Sequence, residues 1–310
     1  MKLSLSTGTL YIYPLQTVFR WAREAGFDGV ELVVNPEAIA RGGKAVRRAA
    51  RAAGLEIFSV HPTVLPLPGW SERWGGLEPT LRLAQEAGAG LLVMHTPRAT
   101  SLDIGEGLAF RQRIEAWQDR LAGGDLRLAV ENKAARSEEQ RRYALAPLDR
   151  LRAFADRYDL GLVLDTTHAA AAGEDLIRAR HIFDSRLANV HLSDVGGRLG
   201  RLPLPGLPIL LGEHRFPGAG ELPLTDLLAG LTTDGYAGPV TLEVNPFALR
   251  VWWPSAVRRR LARAVTWLRA CSQSHPPDHP LSGRGPSASV PPSTLSGSGR
   301  RTPLREILIA

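Results

Sequence analysis

The feature that most constrains the fold is a regular alternation of short apolar runs with segments of helical periodicity. The segments between runs, such as residues 15–26 and 77–88, carry apolar residues at spacings of three and four and end in glycine. This alternation is typical of successive βα units around a parallel sheet. The predicted strands lie in residues 3–7, 29–33, 55–60, 90–94, 126–130, 160–164, 187–190 and 239–242.

The number and spacing of these runs favour a closed barrel. Most strand ends recur at intervals of 26 to 36 residues, and the 52-residue interval from His191 to Glu243 leaves room for a long loop. Eight units in about 250 residues are the usual size of a (β/α)8 barrel. A doubly wound sheet is less favoured, because no glycine-rich phosphate-binding turn follows the first strand. We therefore predict an α/β protein whose residues 1–271 form a (β/α)8 (TIM) barrel.

The composition changes at residue 272, where Ser, Pro and Gly replace large apolar residues. Such a segment buries too little apolar surface to offset the entropy of ordering. We predict a disordered C-terminal tail over residues 272–310. Its last nine residues regain some apolar character. We interpret them as an uninvolved terminus, with a docking peptide as the alternative.

Location and partners are constrained by what the composition lacks. No apolar run approaches the roughly 18 residues that span a membrane, and the N-terminus lacks the apolar core of a signal peptide, so a cytoplasmic location is expected. The net charge of +7 is weak evidence for a nucleic-acid partner, because the basic residues are dispersed over helix faces. A homo-oligomer is compatible with the sequence, which does not specify it.

A potential metal ligand lies in or directly after seven of the eight apolar runs. In chain order these residues are Glu31, His61, His95, Glu131, Asp165, His191 and Glu243. Since His, Asp and Glu make up only about one residue in eight, this succession is hard to ascribe to chance. Parallel barrel strands end at one face, so we expect these side chains to meet in one mouth.

Such a meeting of carboxylates and imidazoles predicts a cation. Their repulsion and desolvation would cost several kcal/mol without one. Cys271 is the only cysteine, so the ligands must be nitrogen and oxygen atoms, which suit Mn²⁺, Zn²⁺, Co²⁺ or Mg²⁺. Taken singly, each acid has an ordinary interpretation as a helix cap or ion-pair partner, and each histidine as a packed core residue.

Several motifs resemble one known family, the xylose isomerase-like TIM barrels, which include sugar phosphate isomerases and epimerases and the endonuclease IV type of repair nuclease. The resemblance covers residues 1 to about 270. It is carried by Val130–Asn132, Leu164–Ala169, Val190–Asp194, His214 with Pro217–Gly220, and Leu242–Glu243. It implies a divalent metal held by Glu131, Asp165, His191 and Glu243.

The two branches of this family imply different chemistry. In the nuclease branch further metals would use His61, His95, His168 and His214, and the partner would be nucleic acid. Gly212 stands where the nuclease pattern has an aspartate, and the N-terminal stretch resembles the isomerase branch. We therefore favour a metal-dependent isomerase or epimerase of a small sugar or sugar phosphate over an AP endonuclease. A non-catalytic sugar-binding barrel is the third alternative.

An isomerase of this kind must remove a proton next to a carbonyl and stabilise the resulting enediolate. We expect Glu131 and Glu243 to act as base and acid while ligating the metal. His168 and Glu31 are expected to orient substrate hydroxyls or to support the ligands. Secondary candidates are Trp70, Trp74, Trp252 and Trp253 for stacking on a sugar, and Arg198, Arg201 and Arg215 for binding a phosphate.

Overall fold

Eight parallel strands close into a barrel in the computed structural model, which describes residues 1–63, 67–70, 77–196 and 212–273. The strands follow chain order, and β1 pairs with β8 to complete the ring. They are β1 Lys2–Ser6, β2 Gly29–Val33, β3 Glu56–His61, β4 Leu91–His95, β5 Arg127–Glu131, β6 Gly161–Asp165, β7 Leu187–Leu192 and β8 Pro239–Leu242. The predicted (β/α)8 barrel is confirmed.

Helices connect the strands and cover the barrel. They are α1 Leu15–Ala25, α2 Pro36–Arg41, α3 Gly43–Ala52, α4 Leu77–Ala87, α5 Gly105–Leu121, α6 Glu138–Arg141, α7 Leu148–Arg157, α8 Thr166–Ala172, α9 Leu176–Phe183, α10 Leu224–Thr233, α11 Pro246–Leu249 and α12 Pro254–Gln273. Helix α12 packs against both α1 and α10, so the first and last long helices meet in the outer layer.

The local sequence explains why α1 forms and where it ends. Leu15, Val18, Phe19 and Ala22 are buried and recur at helical spacing on one face, which packs against the core. Gly26 follows with a φ of 96°, and its N–H donates to the last turn of the helix. This left-handed conformation is readily adopted by glycine, so the sequence ends α1 at the predicted place.

The alternation of side chains along the strands aims the predicted ligands into the barrel. Four small or aliphatic residues form a separate cluster, Leu91, Val93, Ala129 and Val163. Side chains two residues apart on a strand share a face. His95, Glu131 and Asp165 therefore continue the face of this cluster at the carboxyl ends of β4, β5 and β6.

The barrel lies within a compact unit of the chain, Met1–Pro276. No described helix is long and apolar enough to cross a membrane. The predicted tail lies outside the described residues from position 274 onward, and its disorder stays a prediction.

Candidate metal centre

Four predicted ligands converge at the carboxyl ends of β5 to β8. Ligand atoms of Glu131, Asp165, His191 and Glu243 all lie within 4.8 Å of one another. We call these four residues the main group. Glu131, Asp165 and His191 are buried, and Glu243 is partly exposed to the mouth. The four residues come from four successive strands, so only the closed barrel brings them together.

His191 lies between carboxylates on both sides of its ring. Its Nδ1 is 2.8 Å from Oε2 of Glu243 and 3.2 Å from Oε1 of Glu131, and its Nε2 is 2.8 Å from Oε2 of Glu31. Burial alone would lower the pKa of His191, but attraction to Glu31 and the other carboxylates raises it well above 6.5. A positively charged ring therefore partly neutralises the acids in the metal-free protein.

The same pairing keeps the two glutamates ionised. Burial raises the pKa of Glu243, but the opposite charge of His191 outweighs it and brings the pKa down to about 2. The pKa of Glu131 is likewise held well below 4.5 by His191 and by hydrogen bonds from His168 and His61, against the effect of burial. Both carboxylates are thus negatively charged at neutral pH.

Asp165 provides the test of whether these residues fit a cation. Its Oδ1 accepts a hydrogen bond from the backbone N–H of His168 at 2.6 Å, which caps α8. Its Oδ2 is buried and accepts no hydrogen bond from the described residues. Burial raises the pKa of this carboxyl. A buried acceptor without a donor is costly, and a nitrogen and oxygen donor set of this size suits a divalent cation, so the main group fits one.

Two further groups of potential ligands adjoin the main group. The His61 group is His61, His95 and Glu131, and the His214 group is Asp165, His168 and His214, with ligand atoms in each group within 4.8 Å of one another. Oε2 of Glu131 is 3.2 Å from Nε2 of His95 and 3.6 Å from Nε2 of His61. Glu131 and Asp165 therefore each belong to two groups.

The loop after β7 holds His214 in an unusual backbone conformation. His214 has a φ of 48°, in the left-handed region that non-glycine residues rarely adopt. Its carbonyl accepts a hydrogen bond from the N–H of Asn245 at 2.6 Å, and its Nδ1 lies 3.2 Å from Oγ of Ser193. Strained residues of this kind occur where surrounding contacts fix them. The loop thus places the imidazole beside Asp165.

Asp194, at the end of one of the motifs that carry the resemblance, stabilises the loop after β7. It follows His191 by three residues but belongs to none of the ligand groups found among the described residues. Its carboxylate accepts hydrogen bonds from the backbone N–H groups of Gly218 and Gly220 at 3.0 and 2.9 Å. Asp194 therefore holds the turn that follows His214.

Glu31 lies deeper than predicted. It occupies the middle of β2, and the strand register pairs it with Ser59, two residues before His61. Among the described residues it joins none of the three ligand groups. The sequence also did not single out Ser59 and Asn189 as candidate site residues. Each is a polar residue two positions before a histidine in an apolar strand, so it shares that histidine's face.

The secondary candidates for sugar and phosphate binding differ in exposure. Trp252 and Trp253 are exposed, whereas Trp70 packs partly buried against the core. The guanidinium of Arg215 donates to the carbonyl of Gly196. The remaining candidates, Trp74, Arg198 and Arg201, lie outside the described residues.

Comparison with known proteins identifies the family. The sequence pattern of the xylose isomerase-like TIM barrel matches residues 19–271. This chain belongs to the xylose isomerase-like TIM barrel family. An uncharacterized protein of Mycobacterium tuberculosis is 30% identical to it over 273 residues, covering 81% of this chain and 91% of the relative. The 3-dehydroshikimate dehydratase of Pseudomonas aeruginosa is 30% identical over 228 residues, covering 71% of this chain and 34% of the dehydratase.

Solved structures of an epimerase and of an endonuclease share the fold. The 3-keto-D-glucoside 4-epimerase of E. coli superposes with a TM-score of 0.63 at 19% identity, covering 87% of this chain and 100% of the epimerase. An AP endonuclease, family 2, from Brucella melitensis also has a TM-score of 0.63 at 19% identity, covering 86% of this chain and 99% of the endonuclease. At these identities the likeness establishes the architecture alone.

Proposed function

We propose that this xylose isomerase-like protein is a divalent-metal-dependent isomerase or epimerase of a small sugar or sugar phosphate. The reaction moves a proton at the carbon next to a carbonyl through an enediolate. The observation that carries the proposal is the convergence of Glu131, Asp165, His191 and Glu243 within 4.8 Å. The names of two similar proteins, an epimerase and a dehydratase, support the reaction class. Epimerisation next to a carbonyl and elimination of water β to a carbonyl both begin with removal of a proton from the carbon next to that carbonyl.

The main group supplies both charge stabilisation and proton transfer in this proposal. A divalent cation held there would stabilise the negative charge of the enediolate by several kcal/mol. Because their pKa values lie well below neutral pH, Glu131 and Glu243 are both ionised, the form in which a carboxylate can accept a proton. In epimerisation, one of the two carboxylates removes the C–H proton and the other, after taking up a proton from solvent, donates it to the same carbon from the opposite face. In isomerisation, the carboxylate that took the C–H proton returns it to the neighbouring carbon, and the hydroxyl proton moves to the former carbonyl oxygen.

His168 is proposed to orient the substrate. Its ring is partly exposed at the mouth, and Nδ1 lies 3.1 Å from the carbonyl oxygen of Asn132 and 3.3 Å from Oε1 of Glu131. These contacts hold one nitrogen of the ring, so Nε2 is directed away from them. Nε2 can therefore form a hydrogen bond with a substrate oxygen.

Exchange of substrate protons with solvent tests the proposed reaction. The protein loaded with Mn²⁺ is incubated in D₂O with a panel of free and phosphorylated aldoses and ketoses, and deuterium incorporation is followed by NMR. We expect deuterium at the carbon next to the carbonyl of at least one substrate. Glu131→Gln and Glu243→Gln should each slow this exchange by about 10² to 10⁴, the usual contribution of a general acid or base.

The control for these variants is Glu56→Gln. Glu56 is an exposed carboxylate at the opposite end of β3, and its substitution should leave exchange unchanged. Absence of exchange across the panel with fully loaded protein would contradict the proposal. Exchange at the wild-type rate in both Gln variants would overturn the assignment of Glu131 and Glu243.

Phosphodiester hydrolysis is a second candidate, favoured by one observation. The carboxylates of Glu131 and Asp165 each belong to two ligand groups, an arrangement suited to neighbouring metal ions. Under this alternative the purified protein contains three metal ions and nicks DNA at abasic sites. A single bound ion, together with intact abasic DNA after incubation, would eliminate it.

A further inference from the structure

A chain of polar residues crosses the barrel interior beneath the main group. Oγ1 of Thr241 donates to Oδ1 of Asn189 at 3.0 Å, and Nδ2 of Asn189 donates to Oε2 of Glu31 at 3.3 Å. On the other side, Oγ of Ser59 donates to the same oxygen of Glu31 at 2.8 Å. All four side chains are fully buried. Strands β8, β7, β2 and β3 thus hold the Glu31 carboxylate in one position.

The third donor to Glu31 is a residue of the main group. Nε2 of His191 lies 2.8 Å from Oε2 of Glu31. The other oxygen, Oε1, accepts no hydrogen bond from the described residues. The hydrogen bonds that Glu31 accepts therefore converge on Oε2. This convergence directs the carboxylate at Nε2 of His191.

The opposite side of the same ring faces the other ligands. Nδ1 of His191 is 2.8 Å from Oε2 of Glu243 and 3.2 Å from Oε1 of Glu131. A neutral imidazole carries its proton on one nitrogen and offers the other as a ligand. Since Nε2 donates to Glu31, Nδ1 is the nitrogen that remains to bind a cation.

We propose that Glu31 is a positioning residue that fixes the orientation and tautomer of His191, so that Nδ1 becomes a metal ligand. The inference rests on the proposed metal site but not on the reaction performed there. Metal-binding histidines often donate their second N–H to a carboxylate, which orients the ring and makes it a stronger ligand. Glu31 is thereby distinguished from a direct ligand, because its register places it one layer below the mouth.

The burial of Glu31 supports a functional role. An ion pair inside a barrel is no more stabilising than well-packed apolar residues of similar volume. Val30 and Leu32, which flank Glu31 in β2, are fully buried apolar residues on the opposite face of the strand, whereas Glu31 lies on the face of the barrel interior. A carboxylate at this position therefore adds little to the stability of the barrel. Its contact with Nε2 does account for the orientation of the His191 ring, with Nδ1 towards Glu131 and Glu243.

The first test measures metal affinity without substrate. Zn²⁺ binding is determined by competition with a chromophoric chelator for the full-length wild type, Glu31→Gln, Glu31→Ala and Glu31→Asp. We expect about 10- to 100-fold weaker binding for Glu31→Ala, the usual effect of losing such a partner, and a smaller loss for Glu31→Gln. Glu31→Asp, which keeps the charge, should bind more tightly than Glu31→Ala. Glu56→Gln is the control and should bind like the wild type.

The second test does not depend on any variant. Long-range ¹⁵N–¹H couplings in the Zn²⁺-loaded wild type report which ring nitrogen of each histidine carries a proton. We expect His191 to carry its proton on Nε2 and the metal on Nδ1. A proton on Nδ1 would overturn the inference even if the Glu31 variants failed to fold.

The outcomes separate this inference from the proposed function. Wild-type affinity in Glu31→Ala overturns the role of Glu31 and leaves the isomerase proposal standing. Weakened Zn²⁺ binding in a protein that exchanges no substrate protons supports the role of Glu31 and overturns the proposed reaction. A wild type that binds no Zn²⁺ overturns both the role of Glu31 and the metal site.

Discussion

Three histidines of the mouth are each held through one ring nitrogen. Nδ1 of His61 lies 2.7 Å from the carbonyl oxygen of Pro62, and Nδ1 of His168 lies 3.1 Å from that of Asn132. For His191 the held nitrogen is Nε2. In His61 and His191 the remaining nitrogen faces carboxylates of the ligand groups, whereas in His168 it is directed away from Glu131. Fixing a side chain in this way reduces the entropy that it loses when it binds a ligand.

Residue-scale electrostatics predict that the metal-free protein loses stability in alkaline solution. Burial lowers the pKa of His168, but attraction to Asp165 and a hydrogen bond with Glu131 outweigh it and raise the pKa from 6.5 to about 9. Because the folded pKa exceeds the unfolded value, this stabilisation is fully present below pH 6.5 and is lost as the pH rises through about 9. The Tm of chelator-treated protein should therefore fall over this interval.

His168→Gln provides the comparison for this prediction. It removes the titrating group, so the Tm of the metal-free variant should fall less steeply between pH 6.5 and about 9 than that of the wild type. Differential scanning calorimetry at matched ionic strength measures both curves. Parallel curves would show that His168 is not the group responsible.

At the scale of elements, one carboxylate organises the loop between β7 and α10. Oδ1 of Asp194 accepts from the N–H groups of Val195 and Leu222 at 2.9 and 3.0 Å, and Oδ2 accepts from Gly218 and Gly220 at 3.0 and 2.9 Å. The approach is so close that a Cβ on Gly220 would lie 2.2 Å from the carbonyl oxygen of Val195. This packing connects the end of β7 to the segment that carries His214.

Asp194→Asn should destabilise the protein through this loop. The amide offers one oxygen where the carboxylate offers two, so it leaves backbone N–H groups without acceptors. We expect a loss of about 3 kcal/mol in the free energy of unfolding, measured by urea denaturation. Asp226→Asn, an exposed substitution on α10, is the control and should change stability little. A loss below about 0.5 kcal/mol, which is typical of surface changes, would contradict this role of Asp194.

At the scale of the whole molecule, the barrel gathers acids that would repel one another in isolation. Glu131, Asp165 and Glu243 come from three strands, and within this set His191 supplies the positive charge. The closed sheet fixes their separation, so the acids cannot move apart to relieve repulsion. Binding of a cation at the proposed site would therefore be coupled to the stability of the entire barrel.

Metal removal should accordingly lower the Tm. A ligand present at 100 times its Kd stabilises the folded state by about 2.7 kcal/mol, which corresponds to about 5 °C in a protein of this size. Differential scanning calorimetry with Zn²⁺ and with a chelator measures the shift. Asp165→Asn can still accept the helix-capping hydrogen bond but lacks the charge, so its Tm should respond much less to Zn²⁺. An equal response in this variant would argue that Zn²⁺ binds elsewhere.

Sequence reasoning predicted the elements accurately where a local signal marks them. Residues 29–33 form β2 as expected, and Gly26 ends α1, because apolar runs and glycine stops act over a few positions. The ligand set could be proposed because each acid or histidine lies in or directly after an apolar run. The depth of Glu31 could not be predicted, since its neighbours in β2 are apolar on both sides and only pairing with β3 sets its level.

The sequence by itself therefore determined the alternation of strands and helices, the closed parallel barrel and the face on which its polar strand ends meet. Tertiary structure alone decided which oxygen of Glu131 faces which histidine, that Asp194 holds a turn, and that Glu31 contacts His191. The physical reason is how far apart in the sequence the interacting residues lie. Periodicity and capping depend on neighbouring residues, whereas these contacts join residues as many as 160 positions apart through the register and closure of the sheet.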